Sequence, residues 1–241
     1  MQNDSNPDYR GTGILSEINE NLVNYSRHIM ALFLGSIDFD DFENAKVLDF
    51  GAGQVTLAEN LRSKTGNIPV CADLDPKLVS ILKGKGFPAH QFLSAVELKF
   101  DFIYTSNVLE HIEFDVEALR VLADKLEVSG RLAIYVPAFP LLFSKLDQSV
   151  GHFRRYRRIE LVRKLETAGF KVVSKEYSDC VGFIATLLLK LFRFSFEPDA
   201  KTSNLMKFYD RVVVPISILL DRIGMKNLFG KNLFVVAELR N

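Results

Sequence analysis

The chain has 241 residues, 48% of them hydrophobic, and its 30 lysines and arginines are balanced by 30 aspartates and glutamates. That length and apolar content give a globular domain with a sizeable core and exclude a disordered chain. A formal net charge of zero excludes broad electrostatic coating of nucleic acid. The two cysteines, Cys71 and Cys180, lie in apolar contexts without ligand spacing and read as buried thiols of a cytoplasmic protein.

Residues 1–13 are polar, lack the basic start and apolar run of a secretion signal, and read as a flexible leader to a domain spanning 14–241. Apolar residues at helical spacing predict an amphipathic helix over 14–34. Then "KVLDF", "PVCAD", "FDFIYT" and "GRLAIYVP" read as buried parallel strands, with "AHQFL" a weaker one. "TLAENLRSK", "PKLVSILKGKG" and "VEALRVLADKL" read as the helices between them. This alternation predicts an α/β, Rossmann-like, doubly wound and mostly parallel seven-stranded sheet.

After the fifth strand come a loop from Pro137 to Arg157, the helix "RIELVRKLETAGF" ended by Gly169, and the strand "KVVSKEYS". The last strand, "LFVVAEL", follows only after a stretch far too long for a hairpin loop. That stretch, 180–231, is predicted to be a helical insertion with amphipathic helices at 181–194 and 204–223. Lys190 and Arg193 interrupt its most apolar part, which falls short of the roughly 20 residues of a membrane span. Its apolar faces suit packing, homodimer formation or peripheral contact with a membrane.

The first strand runs into "DFGAGQVT". Gly51 and Gly53, flanking Ala52, allow a tight turn whose amides approach a ligand at the start of a helix. The second strand ends at Asp73, where a carboxylate can accept the hydroxyls of a ribose. A dinucleotide fingerprint wants a small residue where Thr56 stands, and Asp49 would repel a pyrophosphate but suits a cofactor bearing an ammonium group. The alternative reading is that Asp49 caps a turn and Asp73 caps the helix begun by Pro76.

With "VLDFGAGQVT", "ADLDP" and "SNVLEHIEFD", the chain resembles the class I S-adenosylmethionine-dependent methyltransferases. The resemblance implies that Asp49, Gly51, Ala52 and Gly53 surround the methionine part of S-adenosylmethionine, that Asp73 binds ribose and that Leu74 lies against adenine. It implies that Asn107 contacts the methionine moiety and that His111 faces the cleft. Ser94 stands where many such enzymes carry an acid near the adenine amine. Glu110 is read as a solvated charge at a helix start.

The loop motif "VPA…D…GHFRRY", with "NVLEHIE", "LETAGF" and "FGKNLFVVAE", resembles a methyltransferase branch associated with glycosyltransferases of surface-glycan and polyprenyl-phosphate chemistry. The loop brings Asp147 within five residues of His152. An imidazole titrating near ~6.5 suits a base for an alcohol nucleophile, so His152 is the expected base, His111 its rival and Asp147 the residue that orients either. Arg154 and Arg155 are expected to clamp a phosphate or carboxylate, and Tyr156 to bind an adjacent sugar or close the pocket. Arg157 and Arg158 read as a solvated helix start, and no catalytic metal is expected from the spacing of the acids.

These readings predict O-methylation of a sugar, glycan or lipid-linked substrate, with an anionic or glycosylated acceptor and no nucleic acid. The alternatives are a small-metabolite O-, N- or C-methyltransferase and a noncatalytic cofactor-binding partner of a glycosyltransferase.

Overall fold

The computed structural model describes residues 21–37, 42–192 and 200–240. The predicted leader, the start of the predicted first helix, and residues 193–194 of the first insertion helix lie outside the described residues.

Seven strands form one sheet: β1 (Val47–Phe50), β2 (Val70–Ala72), β3 (Ala89–His90), β4 (Phe100–Ser106), β5 (Leu126–Pro137), β6 (Phe170–Ser178) and β7 (Asn232–Leu239). Their order is β3-β2-β1-β4-β5-β7-β6. The first five run parallel, and β7 is antiparallel to both its neighbours. The sheet is therefore mixed at one end, where β6 and β7 pair as a hairpin ladder despite their separation in sequence.

Both faces of the central strands are buried, which is why they read as continuous apolar runs. Along β4, Phe100 and Ile103 pack on one side with Leu119 and Leu122 of α4 (Asp115–Lys125) and Leu161 and Leu165 of a later helix (Arg158–Thr167). Phe102 and Tyr104 face the other side, against Ile29, Met30 and Phe33 of α1 (Val23–Leu34) and Leu61 of α2 (Thr56–Thr65). Each fully buried side chain of this size contributes about 1.5–3 kcal/mol of transfer free energy. A further helix, α3 (Pro76–Gly84), covers the β2–β3 end.

Two stretches depart from the predicted pattern. The loop after β5 contains a short helix, α5 (Lys145–Ser149), and returns to the sheet through a parallel bridge between Ala138 and Tyr156 before α6 (Arg158–Thr167) begins. The insertion holds α7 (Cys180–Leu191), then α8 (Ala200–Phe208), a π-helical turn (Tyr209–Val213) and α9 (Val214–Arg222) in unbroken succession. Pro215 follows the π turn; its missing N–H cannot bond back four residues, and the wider turn relieves that fault.

The insertion is built into the domain by polar contacts. The Asp210 carboxylate accepts from the Asn24 and Tyr25 amides at 3.0 and 2.9 Å, capping the start of α1. Asp179, at left-handed φ 67, accepts from the Gly182 amide at 2.9 Å and the Ser217 hydroxyl at 3.0 Å, and also bonds the Tyr209 hydroxyl. Lys190 donates to the carbonyls of Leu141 and Phe143 at 2.6 and 2.7 Å, tying α7 to the loop after β5.

Candidate functional site

The turn after β1 is held open by backbone geometry. Gly51, Gly53 and Val55 all have positive φ, at 78°, 53° and 74°. The Gly51 and Ala52 amides donate to the Ala72 carbonyl at 2.8 and 3.1 Å. A Cβ at Gly51 would collide with the side chain of Val108, so only glycine lets this turn meet the segment leaving β4.

Two carboxylates line the turn. Asp49, 2% exposed, accepts from the Tyr104 hydroxyl at 2.9 Å. Burial is the chief cause that pushes its pKa up to about 7, and the Tyr104 hydrogen bond opposes that rise. Asp73 accepts from the Gly53 amide at 2.8 Å and the Asp75 amide at 3.0 Å, and burial raises its pKa as well. The helix cap of α3 is Asp75, which accepts from the Lys77 amide at 2.8 Å, so Asp73 is not the cap. Two acids with lone pairs left for hydroxyls fit a cofactor with a ribose and an ammonium group, and are hostile to a pyrophosphate.

The remaining residues expected at the cofactor lie at or after the ends of β1 to β4. Ala52 is buried within the turn after β1, and Leu74 is exposed beyond the end of β2, where its carbonyl accepts from Gln91 at 3.0 Å. Ser94 is exposed in a turn after β3. Asn107 is exposed at φ 54, its amide bonded to the Tyr135 carbonyl and its side chain to the Ser106 hydroxyl at 3.1 Å.

The loop after β5 folds over the turn Leu109–His111 and brings the predicted chemistry together. Its backbone is clamped by Phe153 N to the Glu110 carbonyl and His152 N to the Asp147 carbonyl, both at 2.8 Å. Asp147, 2% exposed, places Oδ1 3.0 Å from His152 Nδ1 and 2.8 Å from Arg155 Nε. Burial alone would raise this carboxyl, but the hydrogen bonds to His152 and Arg155 and the guanidinium charge hold it well below the usual carboxylate range. The rings of His111 and His152 meet edge to face, centroids 4.5 Å apart. Burial, then the neighbouring His152, push the His111 pKa down to about 4.

Glu110 is not a solvated charge. It is fully buried, and among the described residues neither carboxylate oxygen has a hydrogen-bond partner. Burial pushes its pKa up to about 8 against the opposing influence of Arg155, and its Oε1 lies 3.9 Å from His152 Nε2. The flanking Val108, Leu109 and Ile112 were the available signal: an acid inside "VLEHI" sits in an apolar frame.

The arginines and tyrosine also have duties other than those predicted. Tyr156 is fully buried, its hydroxyl 2.8 Å from Asp115 Oδ2 and 3.0 Å from the Leu109 carbonyl, so it cannot bind a sugar. Arg154 pairs with Asp115 at 2.9 Å and donates to the Glu113 carbonyl at 2.7 Å; Arg155 is buried against Asp147. Both guanidiniums neutralise acids that the loop buries, and this replaces the expected anion clamp. Arg157 is exposed, as predicted, whereas Arg158 is half-buried with its guanidinium 5.1 Å from the Tyr177 ring centroid.

Three comparisons bear on this arrangement. A family model described as a methyltransferase domain matches residues 23–175. A search of curated proteins finds no match. Among solved structures, the chain is similar to the protein named as a methyltransferase in a complex with the Trm112 methyltransferase activator of Haloferax volcanii. That match has a TM-score of 0.62 at 14% identity and covers 97% of this chain and 96% of that one. It is also similar to a SAM-dependent methyltransferase from Archaeoglobus fulgidus (TM-score 0.57, 19% identity, covering 88% and 94%). A third match is phosphoethanolamine N-methyltransferase 2 of Haemonchus contortus in complex with S-adenosyl-L-methionine (TM-score 0.57, 14% identity, covering 89% and 52%). No described helix is long and apolar enough to cross a membrane.

Proposed function

The chain belongs to the methyltransferase-domain family, and from that premise we propose that it moves a methyl group from S-adenosylmethionine to an oxygen of an acceptor. The carrying observation is the contact of the Gly51 turn with Val108, which sets a cofactor cradle two and three residues from Glu110 and His111. S-adenosylmethionine supplies a methyl group on a positively charged sulfur. Asp73 accepts the ribose hydroxyls and Asp49 faces the ammonium across the Gly51–Gly53 turn. The loop carrying His152 covers the other side and aligns the acceptor for in-line attack. The acceptor's proton is handled where Glu110, His111 and His152 converge.

What borders that loop supports one acceptor class. Helix α7, anchored to it through Lys190, exposes Ile184, Leu188, Leu191 and Phe192, and α9 exposes Ile216 and Leu219. These faces support an acceptor with an apolar tail, such as a lipid-linked sugar presented at a membrane surface.

The test is calorimetric titration with S-adenosylhomocysteine, followed by transfer of label from methyl-labelled S-adenosylmethionine in an extract of the source cells. Wild type is expected to bind one equivalent and Asp73→Asn to bind about 10–100-fold more weakly, the loss of a hydrogen bond to a charged group. Failure of wild type to bind would overturn the methyl-transfer reading. Label confined to the aqueous phase would overturn the lipid-linked acceptor alone.

A further inference from the structure

We propose that Glu110, His111 and His152 form a binding site for a divalent first-row transition ion beside the methyl acceptor. Among the described residues, these three present ligand atoms that all lie within 4.8 Å of one another. Metal–ligand bonds to imidazole nitrogen and carboxylate oxygen run about 2.0–2.2 Å, so two ligands of a tetrahedral ion lie about 3.4 Å apart. His152 Nε2 and Glu110 Oε1 are 3.9 Å apart and need only a small side-chain adjustment to share one. Two imidazoles and one carboxylate suit borderline ions such as zinc or cobalt and leave coordination positions open.

Two independent features point to a cation rather than to packing. Among the described residues neither oxygen of the fully buried Glu110 has a hydrogen-bond partner, an arrangement that is unfavourable unless a proton or a cation meets it. Arg155, the nearby guanidinium, offsets the Glu110 charge only at a distance, because its hydrogen bonds go to Asp147 and to the Ala138 carbonyl. Second, the outer partners are those that ligating histidines use. Asp147 engages His152 at Nδ1, leaving Nε2 directed toward Glu110, and the His111 ring is hydrogen-bonded to the Gly151 backbone.

The role of the ion rests on the methyl-transfer reading; the site itself does not. An acceptor hydroxyl entering an open coordination position ionises, and its proton leaves to solvent water. The resulting oxyanion forms the new O–CH3 bond as the C–S bond breaks, and sulfur keeps the electron pair as the neutral thioether of S-adenosylhomocysteine. His152 is then a ligand whose orientation Asp147 fixes, rather than the proton acceptor.

The test uses the full chain after chelator treatment, with zinc measured by equilibrium dialysis and cobalt by its visible absorption. One tightly held equivalent and a cobalt band of low-symmetry coordination are expected. Glu110→Gln and His152→Gln should each weaken binding about tenfold or more, whereas Asp73→Asn should keep the ion while losing S-adenosylhomocysteine. Absence of the wild-type cobalt band, or zinc affinity indifferent to Glu110→Gln in a folded variant, overturns the site. The wild-type spectrum decides the matter even if a variant fails to fold. Ion binding without S-adenosylhomocysteine binding would leave the site standing and remove the methyl-transfer reading; the reverse result would do the opposite.

Discussion

Asp147 Oδ1 lies 3.0 Å from His152 Nδ1, and the same oxygen accepts from Arg155 Nε. One buried acid therefore sets the imidazole and fastens the loop that carries it. Asp147→Asn leaves Arg155 buried without its counter-charge, and the expected loss of stability is about 3–5 kcal/mol. The carboxyl is held below its ordinary value, so its contribution is present above about pH 4 and is lost as pH falls further. Thermal melts across that range should show the wild-type advantage over Asp147→Asn shrinking in acid. An advantage that grew in acid would contradict the pairing.

If S-adenosylmethionine sits as proposed, Asp49 sets the pH dependence of its binding. With its pKa at about 7, the carboxyl must ionise before it can face an ammonium group, so affinity is lost as pH falls through 7. Affinity for S-adenosylhomocysteine should rise about tenfold between pH 6 and 8, while Asp49→Asn stays flat and weak. The apo protein should respond in the opposite sense. A raised carboxyl pKa destabilises the fold as pH climbs from about 4 to 7, so Asp49→Asn should gain over wild type across that interval. Melting curves without ligand measure this directly.

Tyr156→Phe separates a structural role from a substrate contact. Its hydroxyl sits between Asp115 and the Leu109 carbonyl with no exposure, and its loss should cost about 1–3 kcal/mol in chemical denaturation. The KM for the acceptor should not move. A raised KM with unchanged stability would return the ring to the substrate pocket.

The sheet was legible because buried parallel strands write themselves as apolar runs; Phe102, Ile103 and Tyr104 can follow one another because both faces are covered. The cofactor turn was legible because Gly51 and Asp73 end neighbouring strands and their spacing is local. The fate of the "GHFRRYRR" arginines was not. It depends on Asp115, roughly forty positions earlier, being carried under the loop, and no periodicity encodes that meeting. Glu110 was misread for the same reason: whether an acid at a turn faces solvent is decided by the segment that folds over it. His152 joins Glu110 and His111 only in three dimensions, so a search for ligand spacing along the chain passes over the group.

The position of β7 between β5 and β6 sets an order of events for a chain made from its first residue onward. When β6 has been synthesised it has no strand to pair with, because the ladder that joins it to the sheet is contributed by residues 232–239. The amides at the start of α1 wait likewise for Asp210, 186 residues later. An emerging chain can assemble β1 through β5 but must hold an uncapped helix until Asp210, and an unpaired strand until residues 232–239, are available. Late closure of this kind lengthens the interval in which edge strands and apolar faces are open to other chains.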